Sequence, residues 1–165
     1  MRHARRFTLM AMAGLLLALH GGAALAQPAR DLVGTWQLVS NVLDQNGKKT
    51  DQFGANPHGV LYFESNGRYV LSIVRDDLPK FAGSGRMNGT DAENKAIVQG
   101  SISHFGSYTV DGDKIVFHVD HAMFPNWDGG MQARPFKLSG DGLSFFVASA
   151  SAGGGSSVVT WKRIK

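Results

Sequence analysis

A chain of 165 residues with no cysteine, 43% hydrophobic residues and 17 Lys+Arg against 13 Asp+Glu fits one folded domain. It excludes a disulfide framework, a thiol nucleophile, thiolate metal sites and a lipidated N-terminal cysteine. Residues 1–26 hold Arg2, Arg5 and Arg6 and no acid, so the remaining chain carries 14 basic against 13 acidic residues; with no basic block left, a nucleic-acid partner is not expected.

Taken in order, the chain opens on the pattern of a cleaved leader. The three arginines precede an uncharged apolar run, Phe7 to Leu19, and the small-x-small pair Ala24 and Ala26 follows. The run is shorter than the roughly 20 residues that span a bilayer. The expected division is a signal peptide over 1–26 and a folded domain over 27–165, exported to the periplasm or the exterior with no stable membrane insertion after cleavage. Arg5-Arg6 leaves the twin-arginine route open beside the general one.

Leu32 to Leu43 (LVGTWQLVSNVL) is rich in β-branched residues and predicts a first strand. Regular alternation puts Trp36, Leu38, Ser40 and Val42 on one face. Asn46-Gly47 turns the chain, and the polar run to His58 predicts a loop with a short edge piece. Gly59–Glu64 and Arg68–Arg75 flank Ser65-Asn66-Gly67, the Asn-Gly signature of a hairpin. Tyr69, Leu71 and Ile73 share a face there. After a loop from Asp76 to Gly89, Thr90-Asp91-Ala92-Glu93 matches a capping box, and a helix, the only one expected after the leader, ends near Gly100. Strands follow at His104–Val110, Lys114–His121, Met131–Leu138, Leu143–Ala148 and Ser157–Ile164. Pro135 marks an irregular or edge position. Eight short strands one turn apart predict an all-β, antiparallel up-and-down barrel with one short helix; a sandwich is the alternative.

Several runs resemble the lipocalin-like domain family of small bacterial and fungal β-barrel proteins. Gly34-Thr35-Trp36 is similar to the lipocalin G-x-W start, and Arg163 stands where lipocalins set a basic residue against that tryptophan. The central match runs through Phe105, Gly106, Tyr108, Val110, Val116, His118, Pro125, Trp127, Gly129, Gln132, Arg134, Phe136, Gly140, Asp141 and Leu143. The chain departs from the family's acid-rich helix start, having only Glu93 near Asp91. The resemblance implies a barrel with an internal cavity and a small, mostly apolar or amphipathic ligand. It implies structural roles for Gly34, Trp36 and Arg163.

The residues expected at a ligand are Tyr69, Leu71, Tyr108, Phe117, His118, Trp127 and Arg134. Tyr69 and Tyr108 offer hydroxyls, Trp127 an aromatic cover at the mouth. Arg134 on an inward face needs a carboxylate, with Asp120 or Glu64 as candidates, or an anionic ligand; on an outward face it is a plain surface arginine. The family pattern favours His118 inside, whereas alternation gives the inner face to Ile115, Phe117 and Val119. His118 and His121 sit three apart, on opposite faces of a strand, which argues against a metal site. His58 and His104 join no constellation. No Gly-x-Ser-x-Gly, phosphate loop or dinucleotide fingerprint is present, and no cofactor is expected. Beside a ligand-binding barrel stand two rivals: a barrel-type isomerase or cyclase using His118 and Arg134, and an envelope or stress protein acting through its outer surface.

Overall fold

In a computed structural model the described residues are 27–165; the leader expected over 1–26 lies outside them. The chain runs α1 (Gln27–Leu32), β1 (Gly34–Gln45), β2 (Lys48–Asp51), β3 (His58–Phe63), β4 (Arg68–Val74), α2 (Asp91–Gly100), β5 (Ser101–Asp111), β6 (Lys114–Ala122), β7 (Met131–Ser139), β8 (Gly142–Val147) and β9 (Ser156–Arg163). Each strand from β3 to β9 pairs antiparallel with the next, and β1 pairs with both β3 and β9. The seam runs from Trp36 opposite Arg163 to Asp44 opposite Ser156. That closure removes both sheet edges and excludes the sandwich. The short β2 hairpins back on the far end of β1.

Alternation decides the core along most strands. Tyr69, Leu71 and Ile73 on β4 and Ile115, Phe117 and Val119 on β6 are buried. On β1 the expected face is corrected. A bulge between Leu38 and Ser40 inserts Val39, which is exposed, and shifts the phase. Beyond it Asn41 and Leu43 turn inward in place of Ser40 and Val42. Pro135 sits where β7 ends its pairing with β6 and begins pairing with β8 at Phe136, so the missing N–H falls at a changeover.

A second bulge, between Phe105 and Gly106, brings β5 against the backbone of β6. A Cβ on Gly106 would collide with the His118 carbonyl oxygen. Gly106→Ala is therefore expected to destabilise by about 1–3 kcal/mol, the range for forced overpacking. Denaturant midpoints measure it, and an unchanged midpoint would mean that β6 yields freely.

The chain has a second helix beyond the one expected. α1 crosses the bottom of the barrel and buries Ala29 and Leu32. Its signal is weak because it has six residues, below the length at which a helix holds by itself. Tertiary contacts secure it: Trp36 Nε1 donates to the Leu32 carbonyl at 2.9 Å. Arg163 donates to the carbonyls of Val33 at 2.7 Å and Asp31 at 2.5 Å. The same guanidinium lies 4.1 Å from the Trp36 ring centroid. Gly34, at φ +134°, leaves it room, because a Cβ there would stand 2.8 Å from Arg163 Nη1.

The other end is the mouth, where the β1–β3, β4–β5, β6–β7 and β8–β9 connections gather. α2 starts there with its capping box. Glu93 N donates to Thr90 Oγ1 at 3.3 Å, and Thr90 N donates to Glu93 Oε2 at 2.7 Å. The other Glu93 oxygen accepts from Ala82 N at 2.7 Å, tying the long loop to the helix.

Candidate functional site

The lower lumen is solid. Trp36, Phe63, Tyr108 and Trp161 fill it at 0–1% exposure, with Phe63 and Tyr108 edge to face at 4.6 Å. Above them lies a cavity of about 70 Å³ walled by Leu71, Ile73, Phe117, Phe145 and Val159. Polar residues enter it from two sides: His104, Gln132 and Arg134 from β5 and β7, and Asn41 and Ser157 from β1 and β9. Over it opens a mouth cleft of about 460 Å³ that includes Phe53, Val98, Ile102, Met123, Phe124 and Trp127. The two spaces share Gln52, Ile102, Trp127 and Ser151, so they adjoin.

Arg134 is half-buried on the inner face of β7, and burial pulls its pKa down. Its Nη2 donates to Gln132 Oε1 at 2.9 Å. Among the described residues no carboxylate forms an ion pair with it. Asp120, an expected partner, is bound to Arg68 at 2.6 Å on the outer face. Glu64 lies at the bottom end of the barrel, past the close of β3.

His104 is 5% exposed on β5. Its Nδ1 lies 2.8 Å from the Tyr69 hydroxyl. Burial, with the Arg134 charge adding, pushes the imidazole pKa down to about 4, so the ring is neutral near pH 7. Burial raises the Tyr69 pKa, so that hydroxyl keeps its proton, and the tautomer of the neutral ring sets which of the two groups donates. Trp127 covers His104 edge to face at 5.7 Å. A 3-10 turn, Pro125–Trp127, positions that indole. Asp128 fastens the turn, accepting from Ala122 N at 2.8 Å and lying 3.1 Å from His121 Nδ1.

Of the side chains expected at a ligand, Leu71, Phe117, Trp127 and Arg134 meet at the inner cavity. Tyr69 points inward but stands behind His104. Tyr108 belongs to the bottom: its hydroxyl donates towards the carbonyls of Glu64 at 3.2 Å and Ala29 at 3.4 Å, and burial pushes its pKa up to about 12. The inward placement of His118 is corrected. Its neighbours Phe117 and Val119 take the inner face. His118 turns outward, with Nε2 3.4 Å from Thr109 Oγ1 on the outer wall.

His104 and Asn41 are among the cavity residues that the sequence pattern did not single out. For His104 a signal existed, since alternation from Tyr108 through Gly106 places His104 on the same face. Asn41 had none, because only the β1 bulge turns it inward. It is 6% exposed, and its Oδ1 has no hydrogen-bond partner.

No curated protein matches this chain. The family model described as a lipocalin-like domain does match, over residues 33–164. That span takes in all nine strands of the described residues, so the closed barrel with its lumen and open mouth is a member of the lipocalin-like domain family, whose fold points to small-molecule binding in general.

Proposed function

We propose that the barrel binds a small amphipathic molecule head first, with an anionic group at Arg134 and an apolar body in the mouth cleft. The observation that carries this is the half-buried guanidinium of Arg134, which faces a cavity and has no carboxylate partner among the described residues. A desolvated cation without a counter-ion is costly, and a ligand anion relieves that cost. The neutral His104 adds a polar imidazole to the same cavity. Apolar residues at the cleft, Val98 at 73% and Met123 at 54% exposure, lose contact with water when a tail lies on them.

Octanoate and its neutral methyl ester, titrated into the full barrel by calorimetry, form the test. Arg134→Ala is expected to weaken octanoate by about 1.5–3 kcal/mol, the range for a hydrogen bond to a charged group, and to leave the ester nearly unchanged. Equal losses for both would remove the anionic head from the reading.

The isomerase or cyclase reading no longer has His118, which faces outward. The Tyr69–His104 pair is what favours it now, since a neutral lumen imidazole can accept or deliver a proton. We also propose that the protein works outside the cytoplasm; the leader pattern and the absence of cysteine support this. Intact mass of exported protein is expected to place the mature start at Gln27, and residues 1–26 retained in a membrane fraction would point to an anchor instead.

A further inference from the structure

The wall at the closing seam carries a second polar feature. Asn41 on β1 and Ser157 on β9 enter the inner cavity from the closing seam. Both are almost fully buried, at 6% and 3% exposure. Asn41 Oδ1 has no hydrogen-bond partner. A buried acceptor left unsatisfied destabilises the fold that contains it. The β1 bulge produces this arrangement, because regular pairing would have put Val42 at the lumen and Asn41 outside.

We propose that Asn41 is a specificity residue that accepts a hydrogen bond from a ligand hydroxyl, so that the ligand is a hydroxylated acid with an apolar tail. The cavity of about 70 Å³ is lined by both Arg134 and Asn41 and admits only a small head group. The hydroxyl therefore stands close to the carboxylate, as in a 2- or 3-hydroxy acid, and the tail extends past Trp127 into the mouth cleft. A hydroxyl satisfies the orphaned acceptor, whereas an acid lacking it brings Asn41 no donor. Sites built this way discriminate strongly against the analogue that lacks the group. The carboxylate half of this inference rests on the proposed function; the hydroxyl half rests on Asn41 alone.

The experiment separates the two halves. Octanoate, 2-hydroxyoctanoate and 3-hydroxyoctanoate are titrated into the wild-type protein and into Asn41→Leu. One of the hydroxy acids is expected to bind about tenfold tighter than octanoate in the wild type, the effect of one well-made hydrogen bond. In Asn41→Leu that advantage is expected to fall below about twofold. A second pair carries no acid: 1-octanol and its isomer 1-methoxyheptane, which accepts a hydrogen bond but donates none. The wild type is expected to prefer the alcohol by about fivefold or more, since only a donor serves Asn41 Oδ1. This comparison needs no variant, so it decides the matter even where leucine at position 41 prevents folding. Equal affinity for alcohol and ether overturns the hydroxyl role. So does a hydroxy-acid advantage that survives in a folded Asn41→Leu. Octanoate binding that depends on Arg134 but ignores the hydroxyl would leave the anion site standing and remove this inference. An Asn41-dependent alcohol preference with octanoate indifferent to Arg134 does the reverse. Failure of every probe to bind overturns both.

Discussion

Trp36→Ala is expected to destabilise the barrel by about 3–5 kcal/mol, the range for deleting a fully buried large aromatic. Trp36 is 0% exposed and belongs to the main core cluster. Two separate attachments end in its ring. Its indole N–H holds the Leu32 carbonyl at 2.9 Å, so α1 loses an anchor. The Arg163 guanidinium loses the face on which it rests at 4.1 Å. Relaxation is limited, because the neighbouring Trp161 and Leu61 are themselves at 0% exposure, so a cavity remains. Arg163→Ala is expected to cost less, since its side chain forfeits a cation–π contact of about 0.5–2 kcal/mol and hydrogen bonds at a partly wet rim. Urea unfolding of the two variants measures the order. A Trp36→Ala midpoint close to that of the wild type would mean that the bottom plug contributes little.

The barrel was legible in the sequence because most of its strands and turns announced themselves locally. Asn66-Gly67 set the β3–β4 turn, Thr90 with Glu93 set the start of α2, and strict alternation set the inner faces of β4 and β6. The candidate site was legible only in part, and the failures have different physical causes. A bulge changes the face of a side chain without changing composition. The β1 bulge turned Asn41 inward, and no residue between Leu38 and Ser40 signals it. On β6 alternation assigned the inner face correctly to Phe117, while the motif resemblance pulled His118 towards it; packing of the aromatic ring prevails over a polar imidazole. His104 was readable by counting back from Tyr108, but a lone histidine with no neighbour in the sequence gives no hint of its Tyr69 partner, which arrives from another strand, in the diagonal register next to the Leu71–His104 pair. α1 was missed because its stability comes from the barrel it closes rather than from its own six residues.

The buried histidine makes the fold sensitive to acid in a defined window. His104 has an ordinary imidazole value of 6.5 when unfolded and about 4 when folded, chiefly through burial, with Arg134 adding to it. The folded state therefore holds the neutral ring, and the unfolded state binds the proton first. Stability from this group is present in full above pH 6.5, declines as pH falls through the interval, and is gone below about 4. The size of the loss is about 3 kcal/mol, from the separation of the two values. The other charged groups around the ring do not titrate there: Arg134 stays cationic and Tyr69 keeps its proton. The carboxylate of Asp128, beside Trp127, is held below its ordinary range by His121, so it loses charge beneath the window. Unfolding free energies measured at intervals from pH 7 to pH 4 in the wild type and in His104→Gln isolate the histidine. Glutamine keeps a polar partner near Tyr69 and has no proton to gain. The wild type is expected to lose stability steeply between 6.5 and 4, and His104→Gln to lose about 3 kcal/mol less over the same range. Parallel curves for the two proteins would mean that protonated His104 is tolerated in the lumen, and that water or a counter-ion reaches it past Trp127.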